Sequence, residues 1–191
     1  MKLIYGVGYN PGGETTDSNG DMLKSYSTWR GMIERCYSAR FKGINPTYEG
    51  CTVIDVWHSY CGFLIWYNEN YINGYDLDKD VLISGNKMYS PDTCAFIPHK
   101  INTLLNDRGR STGEYPKGVY YDKRRRRIMA QININGRTRF LGRFDCKNKA
   151  HNAYVFAKKE YVRSVASLYF LDGLICERVF ESLNLWADNL A

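Results

Sequence analysis

Apolar side chains recur at Trp29, Met32, Ile33 and Cys36, the i, i+3, i+4, i+7 spacing of an amphipathic helix that begins near Ser25 or Ser27. Trp57, Tyr60, Cys61 and Leu64 repeat that spacing and predict a second helix over about 56–67. Ahead of both, Leu3–Val7 reads as a short strand, followed by a polar, glycine-rich loop to residue 24. Asn45-Pro46, Glu49-Gly50 and Asn73-Gly74 are turn signals.

Residues 77–106 follow a different order. Leu77–Leu82 alternates and reads as a strand, and Ser84-Gly85-Asn86-Lys87 with Ser90-Pro91-Asp92 makes a long loop. Cys94–Ile97 is a second short strand, and Pro98 suits the first turn of a helix running through Asn102 to Leu105. Polar residues 107–116 read as a linker. Three strands follow, Gly118–Tyr121, Ile128–Asn135 and Thr138–Phe144, the last two joined by the hairpin signal Asn135-Gly136. Ala150, Ala153, Tyr154, Ala157 and Tyr161 then mark one face of a helix. A last helix is expected over about 168–186, with Leu168, Leu171, Ile175, Val179 and Leu183 inward. The pattern predicts an α+β chain with one domain over 1–106, its strand-loop-strand-helix core at about 77–106. A second domain over 117–191 combines a three-stranded antiparallel sheet packed on a helix with a C-terminal helix.

With 44% hydrophobic and 24% charged residues, the chain is globular rather than disordered or collagen-like. No run approaches the ~18–20 apolar residues of a membrane span. The opening Met1-Lys2-Leu3-Ile4-Tyr5-Gly6 has no signal-peptide stretch, so a cytoplasmic location is expected. Six cysteines in a chain of this length are expected to stay thiols. Cys36, Cys51 and Cys94 each read as a small buried thiol, with convergence on zinc as the alternative; no C-x-x-C pair occurs.

Charge placement sharpens the reading. Lys117–Lys149 holds eleven Lys or Arg against Asp122 and Asp145, a local net of +9. The total is +6, so the rest of the chain nets −3. One strongly basic module on an otherwise acidic chain suggests an anionic polymer as partner, nucleic acid before membrane.

The strand over 128–135 sets Ala130, Ile132 and Ile134 on one face and Met129, Gln131, Asn133 and Asn135 on the other. The apolar face is expected to cover the helix, whose small Ala150, Ala153 and Ala157 permit close approach. The amide-rich face is expected to be flanked by Arg137, Arg139 and the run Lys123, Arg124, Arg125, Arg126 and Arg127. Gln and Asn pair bidentately with adenine, and Arg with guanine, in a major groove that admits strands. The arginine run reads as a solvated turn or as a phosphate-neutralising patch; eleven cations in one small module favour the patch.

Gly118-Val119, Ile128-Met129-Ala130-Gln131-Ile132, Phe140-Leu141-Gly142-Arg143-Phe144-Asp145 and Lys149-Ala150-His151-Asn152-Ala153-Tyr154 resemble the APETALA-type, ethylene-response-factor-like DNA-binding domain. The resemblance covers about 48 residues, 118–165. It implies a three-stranded sheet laid in the major groove against one helix, with Tyr120, Gln131, Asn133, Thr138 and Phe140 reading bases. Asn133 and Phe140 stand where the plant domains have Arg and Trp, so the target sequence does not carry over.

The order strand, loop, strand, helix at 77–106 is that of a ββα-metal nuclease finger, in which a carboxylate and an amide or imidazole hold one divalent cation. Trp29, Met32, Arg35-Cys36-Tyr37, Tyr48, Val53 and Trp57, then Leu77-Asp78-Lys79-Asp80, Gly85-Asn86, Tyr89-Ser90-Pro91, Cys94 and Asn102, resemble the HNH homing endonucleases of bacteriophages. Many of these end in an APETALA-type domain, and the two resemblances together span nearly the whole chain. They imply an N-terminal ββα-metal (HNH-like) domain, metal-dependent hydrolysis of DNA phosphodiesters, and the cytoplasm of a host cell. Asp78 and Asn102 fall at the family's metal ligands, implying Mg²⁺ or Mn²⁺ and no organic cofactor. The family's general-base His falls at Lys79 and its middle Asn at Thr93. A lysine of reference pKa ~10.4 is protonated at pH 7, so Asp80 or His99 is the candidate substitute.

Asp78 and Asp80 read alternatively as strand carboxylates bridged by Lys79 and Lys87, and His99 as a solvent-facing helix start. Double-stranded DNA is the expected partner, with RNA a second candidate because a basic sheet also binds RNA. The competing reading is a catalytically silent descendant that binds DNA or a host protein and regulates it. His58 and His151 receive no role.

Overall fold

Helix α1, Lys24–Tyr37, buries the stripe expected of it: Trp29, Met32, Ile33 and Cys36 are all at most 1% exposed. The computed structural model describes residues 3–105 and 113–190, so the expected linker at 107–116 lies mostly outside the described residues. These residues divide into two units, Met1–His99 and Lys100–Ala191. The chain is α+β, with three small sheets.

In the first unit α1 is followed by α2, Ala39–Ile44, and by a 3-10 turn at Pro46–Tyr48. Strand β1, Thr52–Val53, leads to a second 3-10 turn at Asp55–His58 and then to α3, Tyr60–Asn70. The expected helix over 56–67 is therefore two pieces. Ser59 sits between them in extended conformation and its hydroxyl accepts the Gly62 N–H, an N-cap that restarts the helix. The indole N–H of Trp29 donates to the Trp57 carbonyl at 2.7 Å, and Ser25 Oγ bonds Tyr60 OH at 2.7 Å. These bonds satisfy the polar tips of Trp29 and Tyr60 within an aromatic core that also holds Phe63, Tyr67, Tyr89 and Phe96. The expected strand at 3–7 is a tight turn instead. Tyr5 and Gly6 both have positive φ, and only Ile4 and Gly8 pair.

Strand β2, Tyr75–Asp78, pairs antiparallel with β4, Ala95–Pro98, while β3, Met88–Tyr89, runs parallel to β1. β2 stops at Asp78 rather than running to Leu82, because the Asp78 side chain takes the N–H groups of Asp80 and Val81 and turns the chain. Pro98 is the last residue of β4, opposite Tyr75, not the first turn of the helix. It has no N–H to continue the ladder, and α4, His99–Leu105, starts one residue later.

α4 groups with the second unit beyond His99. There β5, Val119–Asp122, β6, Arg127–Ile134, and β7, Arg137–Phe144, form an antiparallel sheet in the order β5-β6-β7. Asn135 and Gly136 both have positive φ, as a two-residue hairpin turn requires. The sheet packs through Val119, Ala130 and Ala150 on α5, Lys147–Leu171. Gly118 has φ +76°, and a Cβ there would lie 2.1 Å from the Tyr154 ring. That glycine permits the turn and the close approach of strand to helix.

α5 has 25 residues and runs well past the sheet to pair with α6, Glu177–Asp188, through Val162, Val165, Ala166, Val179, Leu183 and Ala187. The single helix expected over 168–186 does not exist. Gly173 at φ +68° ends α5, its N–H bonding the Phe170 carbonyl while Leu174 N–H bonds Tyr169. This is a Schellman stop. It leaves Leu168 and Leu171 exposed rather than inward.

Bonds among the described residues tie α4 to the rest of its unit. The buried Lys158 ammonium donates to the Leu104 carbonyl at 3.0 Å, and the Asn135 side-chain carbonyl accepts from both Tyr161 OH and Lys100 Nζ.

Candidate functional site

Residues opposite one another in an antiparallel ladder share a face. Ile128, Ala130, Ile132 and Ile134 pair with Phe144, Gly142, Arg139 and Arg137, and Val119 pairs with Ala130. This is the side packed on α5. The outer side carries Tyr120, Met129 and Arg143 in one row, Gln131 beside Phe140, and Asn133 beside Thr138. Asn133, Thr138, Phe140 and Arg143 are exposed, while Tyr120 and Gln131 are half-buried. Met129, in the same row as Tyr120 and Arg143, is buried. The five expected reading residues therefore share one face.

Arg143 was missed by sequence reasoning, because strict alternation from Phe140 would turn it away. A β-bulge at Ala130/Gln131, with Leu141 as the extra residue in β7, resets the phase and brings it round. The same register corrects the expected placement of Arg137 and Arg139. Both lie on the α5 side of edge strand β7, where they are exposed but do not flank the amide-rich face. Asn135 also leaves that face, its side chain occupied by Tyr161 and Lys100.

The basic turn is not uniform. Asp122 accepts the N–H groups of Arg124 and Arg125 and binds Arg125 Nη1 at 2.9 Å, with Arg126 at φ +53° closing the turn. The bonds from Arg125, backbone and then side chain, hold the Asp122 carboxyl below the usual carboxylate range. Arg127 lies 3.7 Å from Asp145. Among the described residues Lys123, Arg124 and Arg126 make no ion pair, so their charge faces solvent undiminished.

In the first unit, Asp76 and Asp78 project from the same face of β2, while Leu77 between them is buried. Asp76 Oδ2 lies 2.7 Å from His99 Nδ1. Asp78 Oδ1 accepts from the Asp80 and Val81 N–H groups at 2.7 and 2.6 Å. Burial raises the Asp78 pKa above the usual carboxylate range, against the lowering effect of those donors.

Lys79 is 6% exposed. Its ammonium donates to both Asp80 oxygens at 2.7 Å and to the Asn86 carbonyl at 2.6 Å, and lies 6.0 Å from the centres of the Tyr48 and Tyr89 rings. Asn86 completes the lock, its amide donating to the Lys79 and Met88 carbonyls. The expected bridge from Lys87 is absent, because its ammonium reaches the Thr47 carbonyl. Asn102 lies on α4, in the second unit.

Arg35, which carries part of the nuclease resemblance, donates to Tyr89 OH at 3.2 Å and lies over that ring. Its place on the polar edge of an amphipathic helix gave no hint of that partner.

Cys36, Cys51 and Cys94 are buried in the same core cluster, and burial pushes the thiols of Cys36 and Cys94 up to about 12. Protonated thiols are poor metal ligands and nucleophiles. Among the described residues no group of three His, Cys, Asp or Glu could hold a metal ion. Asp78 still offers Oδ2, which makes no hydrogen bond among the described residues, and one carboxylate oxygen suits a largely hydrated Mg²⁺. His58 bonds Tyr37 OH at 3.0 Å, and His151 bonds the Lys117 carbonyl at 3.0 Å. No helix among the described residues is long and apolar enough to cross a membrane.

No protein-family model, curated protein or solved structure matches the chain.

Proposed function

We propose that the chain is a sequence-selective DNA-binding protein of the phage HNH homing-endonuclease type, with an APETALA-type domain choosing the DNA. The observation that carries this reading is the outer face of the β5–β7 sheet. It gathers amides, a hydroxyl, an exposed aromatic ring and Arg143, and the basic turn joins β5 to β6 at one end of the sheet. Gln131 and Asn133 suit adenine edges, Arg143 suits guanine, and Phe140 suits a thymine methyl. The turn supplies sequence-independent attraction to phosphates.

For the hydrolytic half of the reading, Asp78 and Asn102 are the residues the resemblance assigns to Mg²⁺ or Mn²⁺. When bound, such an ion stabilises negative charge on the phosphate. Asp78, with its rigid turn and its second oxygen, is the residue through which this chain would orient the ion.

The second reading is a silent descendant that binds DNA or a host protein without cutting. It draws support from Lys79, whose ammonium is tied to Asp80 and Asn86 at the position of the family's base. Plasmid nicking with magnesium or manganese, run beside a binding measurement on duplex DNA and on RNA, separates the readings. Cleavage lost in Asp78→Ala with binding retained supports the enzyme. Binding without cleavage supports the silent protein, and preference for RNA rejects the DNA reading.

A further inference from the structure

The hairpin that closes the outer face of the sheet is also the anchor of a helix. Asn133 ends the row of outer-face amides, and Asn135 follows two residues later, in the turn, roughly 6–7 Å further on. The Asn135 Oδ1 accepts from Tyr161 OH at 2.9 Å and from Lys100 Nζ, and that ammonium lies 5.9 Å from the centre of the Tyr161 ring. An amide oxygen has two lone pairs, so both are engaged.

Lys100 is the second residue of α4, and near the other end of that helix the Leu104 carbonyl accepts from the Lys158 ammonium at 3.0 Å. Between these fastenings Ile101 and Leu104 are buried. A short helix held at both ends and packed along one side resists both sliding and rolling. Asn102 is two residues from Lys100, roughly 3 Å along the helix axis and about 200° around it, so whatever fixes Lys100 fixes the height and bearing of Asn102. The turn itself needs only a residue that tolerates positive φ, which glycine does as well as asparagine; the amide oxygen is what α4 uses.

We propose that Asn135 is a positioning residue for the hydrolytic site: it holds α4, and with it Asn102, at a fixed offset from the base-reading face, so that the chain cuts at a set distance from the bases it reads. This inference rests on the nuclease reading above, in which Asn102 is assigned to the ion. Asn135 itself touches neither the bases nor the phosphate; it acts through Lys100 and the helix. Reacting groups misplaced by about an ångström lose roughly 10²-fold in rate, so a slack helix costs both speed and precision of cutting.

The test uses the full chain and two independent readouts. Asn135→Gly keeps the left-handed turn and removes the acceptor, Lys100→Met removes the donor from the other side, and Asn135→Asp keeps an acceptor for both partners. Hydrogen exchange of the α4 amides should be roughly threefold to tenfold faster in Asn135→Gly than in the wild type, the usual worth of one hydrogen bond, and should return to the wild-type rate in Asn135→Asp. Unchanged exchange in Asn135→Gly overturns the fastening, whatever the activity. On an end-labelled duplex selected by the wild-type protein from a random pool, with Mg²⁺, the wild type should nick one phosphodiester. Asn135→Gly and Lys100→Met should nick several neighbouring ones, roughly 10²-fold more slowly at saturating DNA, with DNA affinity unchanged and with Asn135→Asp restoring both rate and position. A single wild-type nick at the wild-type rate in Asn135→Gly overturns the proposal, as does a loss that Asn135→Asp does not restore. A drop in DNA affinity in Asn135→Gly places the residue in the interface and overturns it too. Wild-type protein that binds DNA but never cuts overturns the nuclease reading and the positioning role with it, while exchange still reports whether Asn135 holds α4.

Discussion

Neutralising Lys123, Arg124 and Arg126 should weaken DNA binding far more than neutralising Arg125 and Arg127. The first three make no ion pair among the described residues, whereas Arg125 is held by Asp122 at 2.9 Å and Arg127 lies 3.7 Å from Asp145. A cation that already has a carboxylate neighbour releases less when it meets a phosphate. Each phosphate contact contributes about 0.9 to the slope of log affinity against log salt. At ~0.1 M salt that is roughly eightfold in affinity per contact. Replacing all three unpaired cations with Ala should therefore flatten the slope by about 2.7 and cost roughly 500-fold. Replacing the paired two should flatten it by less than about 1. Fluorescence anisotropy on a labelled duplex, titrated across a salt series, measures both numbers, and random-sequence duplex should give the same losses. Equal slope changes for the two variants would show that the carboxylates do not shield their arginines. An unchanged slope in the triple variant would remove the basic turn from the interface altogether.

Asn133→Ala should cost ~1–3 kcal/mol on the preferred site and little on random DNA, since Asn133 is exposed on the outer face; a filter-binding comparison of the two DNAs checks it. Gly118→Ala should destabilise the second unit by about 3 kcal/mol or more, combining a left-handed backbone with a Cβ driven into the Tyr154 ring; an unchanged urea midpoint would deny that contact. Asp78→Asn should raise stability at neutral pH. The folded chain raises the Asp78 pKa, so it favours the protonated carboxyl, and that stabilisation is present in acid and lost as pH rises through the folded-state pKa. The gain from Asn should therefore be largest near neutrality and should shrink on acidification, as urea midpoints across pH would record.

Periodicity alone located α1, the hairpin and the faces of β6, because each is a local pattern that one buried surface imposes. Trp29, Met32, Ile33 and Cys36 fill the core as their spacing requires, and Asn135-Gly136 adopts the turn its residues favour. Side chains acting on backbone escaped that reading. Leu168 and Leu171 continue a helical spacing into α6, and only the left-handed Gly173 shows that the helix has ended. The end of β2 depends on an Asp78 carboxylate reaching forward to two N–H groups. The site was legible only in part for the same reason. The outer-face residues follow from alternation as far as Phe140, but Arg143 depends on a bulge. The lock around Lys79 was not legible, because no spacing rule connects that residue to Tyr48, Asn86 and Tyr89. The bond between Asp76 and His99 spans 23 positions, and no spacing rule connects them.

The fastening of α4 also decides where the molecule can be cut. A fragment begun at the polar stretch 107–116, where the sequence suggests scissors, would strip the Leu104 carbonyl from a buried lysine and the Lys100 ammonium from the hairpin tip. A fragment begun at His99 would keep both. The portable cassette, for expression in isolation or for grafting onto another protein, is therefore one helix longer than the basic sheet and its long helix, and its natural left edge is the proline that ends β4.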